Sequence, residues 1–190
     1  MGYDMYVKMI EEAIREAQGD PSALRQSELE TRVDLHVNAF LPESYVRGEA
    51  QRIEIYKRIS MIRSRDDESK MIADLIDRFG EPDKPVMNLI AIARLRALAN
   101  TLGADQVRYN RDALVLRFNP QFAVDPVKLY TALSSIGTSM SLQSGKRTTL
   151  LIHLRGASQE EALKKGILEI EKLLEKIEEV PKDTSTIKPD

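Results

Sequence analysis

The chain reads as an α+β protein, an N-terminal helical bundle with one strand followed by a ββαββ(α) subdomain. Three observations carry that reading. Most of the first hundred residues place apolar side chains at helical spacing. One short alternating segment, Val33 to Val37, interrupts them. Beyond Gly103 the apolar repeat shortens to two residues, in paired stretches with a helical segment between and after them.

Gly2 to Ala17 carries Met5, Met9, Ile10 and Ile14 on one edge, an amphipathic helix that Gly19-Asp20-Pro21-Ser22 ends. Ala23 to Thr31 is polar and lacks a long apolar pattern, so it is expected to be mobile. In the strand, Val33, Leu35 and Val37 alternate with Arg32, Asp34 and His36. Leu41-Pro42-Glu43 starts a turn or a short helix. Gly48 to Ile62 is a helix with Ile53, Ile55, Tyr56, Ile59 and Ile62 on its apolar side. Ser64-Arg65-Asp66 resets the chain, with Ser64 or Asp66 as the cap of the next helix.

The next segment, Met71 to Gly103, is two helices and a tight connector. Met71, Ile72, Leu75, Ile76 and Phe79 are expected to share a buried side, while Lys70, Asp74, Asp77 and Glu81 form a stripe opposite. Gly80-Glu81-Pro82 stops this helix and Pro85 opens another. The second is apolar nearly all round (Met87, Leu89, Ile90, Ile92, Leu95, Leu98, Leu102), as befits the middle of a bundle.

Gln106 to Tyr109 and Ala113 to Phe118 are strands around a turn at Asn110-Arg111-Asp112. Asp125-Pro126 caps a helix to Ile136. Met140 to Gln143 and Thr148 to Leu154 form a second hairpin closed by Ser144-Gly145-Lys146-Arg147. Ser158 begins a long helix to Val180 with Leu163, Ile167, Ile170, Leu174 and Ile177 along a narrow seam, and a polar tail runs on from Pro181.

Composition excludes several classes. With 42% hydrophobic and 31% charged residues, disorder does not fit most of the length. There is no run of about 18 apolar residues, so no membrane partner is expected. The acidic helical N-terminus is unlike a secretory signal. The absence of cysteine excludes disulfides, thiol catalysis and cysteine zinc sites, and it fits a reducing, cytoplasmic setting. A net charge of −2 lacks the basic excess of a phosphate-gripping domain. Asp66, Asp67, Glu68, Asp74, Asp77, Glu81 and Asp83 stand against Lys70 and Arg78, a segment that repels a nucleic-acid backbone and attracts a basic protein surface.

No catalytic assembly emerges. Ser144 to Thr148 resembles half of a phosphate loop, but Met140 stands where the first glycine belongs and a strand comes after it, so it reads as a turn. His36 and His153 have no metal ligands at a recognisable spacing, and no G-x-S-x-G elbow occurs. Arg94, Arg96, Arg108, Arg111, Arg117, Lys146 and Arg147 read as scattered solvated charges in preference to one basic patch. Four Phe and six Tyr are too few for a base-stacking platform. Taken locally, Asp74 and Asp77 fit an ordinary solvated helix face, with Asp74 paired to Arg78.

Several ordered segments shift that balance. Asp74-Leu-Ile-Asp-Arg-Phe-Gly80, then Pro85, then Ile92-Ala-Arg-Leu-Arg96 resemble the C-terminal domain of the bacterial transcription-repair coupling factor family. Leu41-Pro-Glu-Ser-Tyr45 and Ile55-Tyr-Lys-Arg-Ile-Ser60 match the same family in the same order. The likeness covers Gly2 to Gly103 in residues, and Ala104 to Val180 in the order of elements. It implies that residues 1–18 are the end of a preceding motor module, 32–180 a C-terminal regulatory domain (32–103 mainly helical, 104–180 ββαββα), and 181–190 a flexible tail.

The family protein is an ATP-driven DNA translocase that removes stalled RNA polymerase and recruits the excision-repair protein UvrA. The resemblance implies no cofactor in this fragment, ATP and Mg belonging to the motor module, and no catalysis of its own. It implies docking onto the UvrB-like module of the same protein, which masks the UvrA-binding surface and represses the motor. RNA polymerase and UvrA are then indirect partners, and DNA is reached through the motor. Asp74 and Asp77 take the positions of the acids that meet basic residues on that module, with Lys70 and Glu81 beside them. A polar, charge-assisted interface suits a breakable switch. The alternative is a nucleic-acid-binding accessory domain.

Overall fold

A computed structural model of the protein describes residues 31–119 and 124–180. The expected helix over 1–18, the polar stretch up to residue 30 and the tail over 181–190 lie outside the described residues. Element order is β1 (Arg32–Asp34), α1 (Glu49–Ser60), α2 (Arg65–Phe79), α3 (Lys84–Thr101), β2 (Ala104–Asn110), β3 (Ala113–Phe118), α4 (Pro126–Ile136), β4 (Met140–Gln143), β5 (Thr149–His153) and α5 (Gln159–Glu179). The fold is α+β, as the patterning predicts.

All five strands join one sheet in the order β1-β2-β3-β5-β4. Only β1 and β2 are parallel; the other neighbours are antiparallel. Register sorts the side chains. Val33, Val107, Leu116, Leu150 and Leu142 form one cross-strand row, apolar from edge to edge. Val107, Leu116 and Leu150 are fully buried, each contributing about 2 kcal/mol by removal from water. The neighbouring row, Asp34, Arg108, Val115, Leu151 and Ser141, faces the other way and stays at least partly exposed.

The helices cover the apolar face. Helix α3 packs against β1, β2, α1, α2 and α5, so the helical part and the sheet share one core. Helix α5 comes close to β3 at Gly166, where an added Cβ would lie 2.5 Å from Leu114 Cδ2 and force it to shift. Its buried stripe is Ala162, Leu163, Gly166, Ile170 and Leu173, wider than the expected seam.

Several expectations need correction. The strand ladder ends at Asp34 rather than Val37, although the alternation of burial continues. There the His36 N–H turns away to the Gln159 side chain at 2.6 Å, at the start of α5. Thr31, expected in a mobile stretch, is buried, and its hydroxyl donates to the Ala104 carbonyl at 2.6 Å. Strand β2 begins two residues early, at Ala104. Ile53 and Ile76 are exposed rather than inward, and Met87 stands out from the apolar helix α3. Arg94 and Asn88 are buried in α3 despite their polarity. Asn88 donates to the Asn38 carbonyl at 2.9 Å, and Arg94 to the Arg63 carbonyl at 3.0 Å and Glu171 at 2.8 Å. Periodicity counts polar residues as surface, and both of these are buried because partners wait on other elements.

Candidate functional site

Helix α2 is held at both ends. At its start the Ser64 hydroxyl accepts from the Asp67 N–H at 3.1 Å, while the Asp67 carboxylate accepts from the Ser64 N–H at 2.9 Å, a reciprocal capping box. Side-chain hydrogen bonding from Ser64 first, then bonds from the Arg63 and Ser64 N–H groups, hold the Asp67 carboxyl below the usual aspartate range. At its end Gly80 adopts φ +82, which closes the helix at low cost without a side chain. The Gly80 carbonyl then accepts the Tyr45 hydroxyl at 2.8 Å. The Tyr45 and Phe79 rings tilt together at 5.9 Å between centroids, and the Arg78 guanidinium lies over Phe79 at 5.1 Å. Burial raises the Tyr45 phenol, with Asp83 and Glu81 adding to it.

The stripe is less uniform than its spacing predicts. Lys70 is exposed and paired with Asp66 at 2.6 Å. Asp74 is a third exposed, and its Oδ2 accepts from Arg58 Nη1 at 2.6 Å and from Arg78 Nη1 at 3.4 Å. The Arg78 pair agrees with the ordinary helix-face expectation, whereas Arg58 comes from α1. The Arg58 bond, with the charges of Arg58 and Arg78, holds the Asp74 carboxyl below its usual range. Asp77 and Glu81 are exposed, and neither forms an ion pair among the described residues. So the structure does not line the three acids up as equivalent groups, and Glu81 lies past the Gly80 cap, outside α2. It separates a bound carboxylate, Asp74, from two outward ones.

Arg58 and Tyr45 are the residues that sequence reasoning passed over. Both lie within segments the sequence singled out, yet spacing along one helix cannot tell which residue of another segment reaches it. The segments meet in one corner. The Leu41 N–H donates to the Tyr56 hydroxyl at 2.8 Å, Tyr45 reaches Gly80, Arg58 reaches Asp74, and Arg96 donates to the Ser60 carbonyl at 3.4 Å.

The arginines named from sequence do not all gather together. Arg94 is internal, and Arg117 and Arg147 both bind Asp105 at 2.7 Å. Ser144 to Thr148 connects β4 to β5, as a turn. His153 is exposed, its Nε2 2.9 Å from the Ser141 hydroxyl, and His36 is exposed too. Among the described residues no three His, Asp or Glu side chains converge on a metal position, and no helix is long and apolar enough to cross a membrane.

Residues 35–129 match the model of the TRCF domain family. A Bacillus subtilis protein named transcription-repair-coupling factor is 29% identical over 166 residues, 86% of this chain and 14% of that protein. Its Escherichia coli counterpart by name is 30% identical over 131 residues, 68% of this chain and 11% of that one. The chain therefore spans a small fraction of these relatives. A crystal structure of the C-terminal domain of transcription-repair coupling factor superposes with a TM-score of 0.66 at 25% identity, covering 78% of this chain and 94% of that one.

Proposed function

The chain belongs to the TRCF domain family, whose model matches it over residues 35–129, and from that premise we propose a non-catalytic, autoinhibitory docking domain. It binds the UvrB-like module of a transcription-repair coupling factor and masks the surface that UvrA uses. ATP, Mg and DNA are handled by the motor of the longer protein, in the cytoplasm, and RNA polymerase is met through that motor.

One observation supports this reading above the rest. Asp77, in the last turn of α2, and Glu81, just past its end, are exposed on a helix that the Tyr45–Gly80 bond fastens at that end and the capping box at Ser64 fastens at the other. Carboxylates on a fixed support lose little freedom when they meet basic residues. Their energy is modest, so a coupling of about 1–3 kcal/mol would bias the resting state without locking it.

The test is a titration of this chain against the UvrB-like module. Asp77→Ala, and Asp74→Ala with Asp77→Ala, should weaken binding while the fold survives. Unchanged affinity in the double variant would remove these residues from the interface. A nucleic-acid-binding accessory role has one observation in its favour: Arg32 and Arg108 stand on the open sheet face. Tight duplex binding that collapses between two salt concentrations would support that role instead.

A further inference from the structure

We propose that the docking surface is bipolar: Arg58 and Arg78 receive a carboxylate from the partner, and Asp77 with Glu81 receive a cation beside it. The inference rests on the proposed docking role and specifies the partner's chemistry.

The Asp74 carboxylate lies between two guanidiniums, both bonded to its Oδ2. Arg58, Arg78 and Asp74 together carry one positive charge, so a basic group approaching Asp74 meets two cations first. Among the described residues each guanidinium bonds Asp74 through Nη1 alone. Nε and the second amino group of each form no hydrogen bond among the described residues, and a guanidinium offers a carboxylate two parallel donors.

Both cations are fixed in place. Arg58 is held by its 2.6 Å bond, and Arg78 lies over the Phe79 ring, which Tyr45 backs. Each side chain keeps more than a third of its surface exposed. A half-exposed, pre-positioned guanidinium pair is suited to an outside anion, since little side-chain entropy remains to be lost. Asp77 lies three residues after Asp74, placing the outward carboxylate beside this pair. The matching partner is a protein surface on which an acid and a base sit side by side. An all-basic patch does not fit.

The two surfaces are separated by the sign of one effect. Affinity for the UvrB-like module is measured for the parent chain, Arg58→Gln, Arg78→Gln, Arg58→Lys and Asp77→Ala, with a thermal melt of each. A bipolar partner predicts that both glutamine variants weaken binding roughly fivefold or more, that Arg58→Lys restores most of it, and that Asp77→Ala also weakens it. Should either glutamine variant tighten binding or leave it unchanged while Asp77→Ala weakens it, the partner is simply basic: this proposal fails and the docking reading stands. If Asp77→Ala has no effect, this proposal fails and Asp77 leaves the interface; if the parent chain does not bind the module, the docking reading fails and takes the proposal with it. Arg78→Gln keeps the test open if Arg58→Gln melts early, because Arg78 makes only the longer contact to Asp74.

Discussion

The Tyr45 hydroxyl donates to the Gly80 carbonyl at 2.8 Å, tying the loop before α1 to the C-terminal cap of the acidic helix. The Leu75 carbonyl lies 3.4 Å from the same hydroxyl, so one proton serves the nearer acceptor and the farther one gains little. A helix C-terminus leaves carbonyls without partners inside the helix, and Tyr45 supplies one from outside. Tyr45→Phe keeps the ring against Phe79 and removes only the donor. The expected loss is about 1 kcal/mol, seen as a fall of a few degrees in Tm. An unchanged melt would show that water replaces the phenol at Gly80.

The acids of α2 carry a pH dependence of definite sign. The folded-state values of Asp67 and Asp74 both lie below those of free aspartate. Their stabilisation is therefore present above the ordinary aspartate range and is lost as pH falls through the folded values. Ser64→Ala removes the largest cause of the Asp67 shift. It should cost about 1 kcal/mol at neutral pH and lessen the acid sensitivity of denaturant midpoints. A loss that is equal at pH 7 and at the acid end of the transition would contradict the box.

Glu68, one residue beyond Asp67 along α2, behaves in the opposite way. Burial raises its carboxyl above the usual glutamate range, and the nearby Arg94 only partly offsets this. Arg94 Nε, 3.8 Å away, is within ion-pair range but too far for a hydrogen bond, and it has no hydrogen-bond partner among the described residues. A raised folded value favours the protonated form, so this contribution is present below the ordinary glutamate range and is lost as pH rises through the folded value. Glu68→Gln should therefore leave stability at neutral pH undiminished and flatten its slope just above the ordinary glutamate value. Urea midpoints at pH 5 and pH 7 report both. A marked loss at pH 7 would mean that the Arg94 attraction outweighs burial.

Much of this architecture is legible in the residues, and the gaps have physical causes. Ser64, Asp125 and Ser158 each cap a helix through a side-chain bond to the backbone, and such local chemistry shows in short windows; Asp83, which caps α3, goes unread behind Pro85. The membership of β1 in the sheet is hidden, because its partner β2 lies some seventy residues away and parallel pairing leaves no turn signal. The candidate site divides the same way. Asp74, Asp77 and Glu81 share a stripe by spacing alone, whereas the capture of Asp74 by Arg58 depends on how α1 and α2 approach in space. Ile76 misleads for a related reason: apolar periodicity marks a face wider than the one α3 covers, and Ile76 falls on its uncovered margin.

Gly166 sets the distance between α5 and the sheet, and two opposing magnitudes decide what alanine does there. Inside a helix, glycine to alanine gains about 1 kcal/mol from backbone propensity. The new Cβ would lie 2.5 Å from Leu114 Cδ2 and 3.9 Å from Leu95 Cδ1. Leu114 is fully buried, paired with Ile152 on one side and Tyr109 on the other, so its methyl has no open space to enter. Overpacking of this kind costs about 1–3 kcal/mol, which matches the propensity gain at its lower end and exceeds it over the rest of the range. Gly166→Ala should therefore lower Tm even though it adds a better helix former. Leu114→Val shortens the obstructing side chain, so the double variant should be more stable than the sum of the single effects, with a coupling of about 1 kcal/mol. Stabilisation by Gly166→Ala alone would show that α5 can lift from β3 at little cost, and that the glycine is not what sets the spacing.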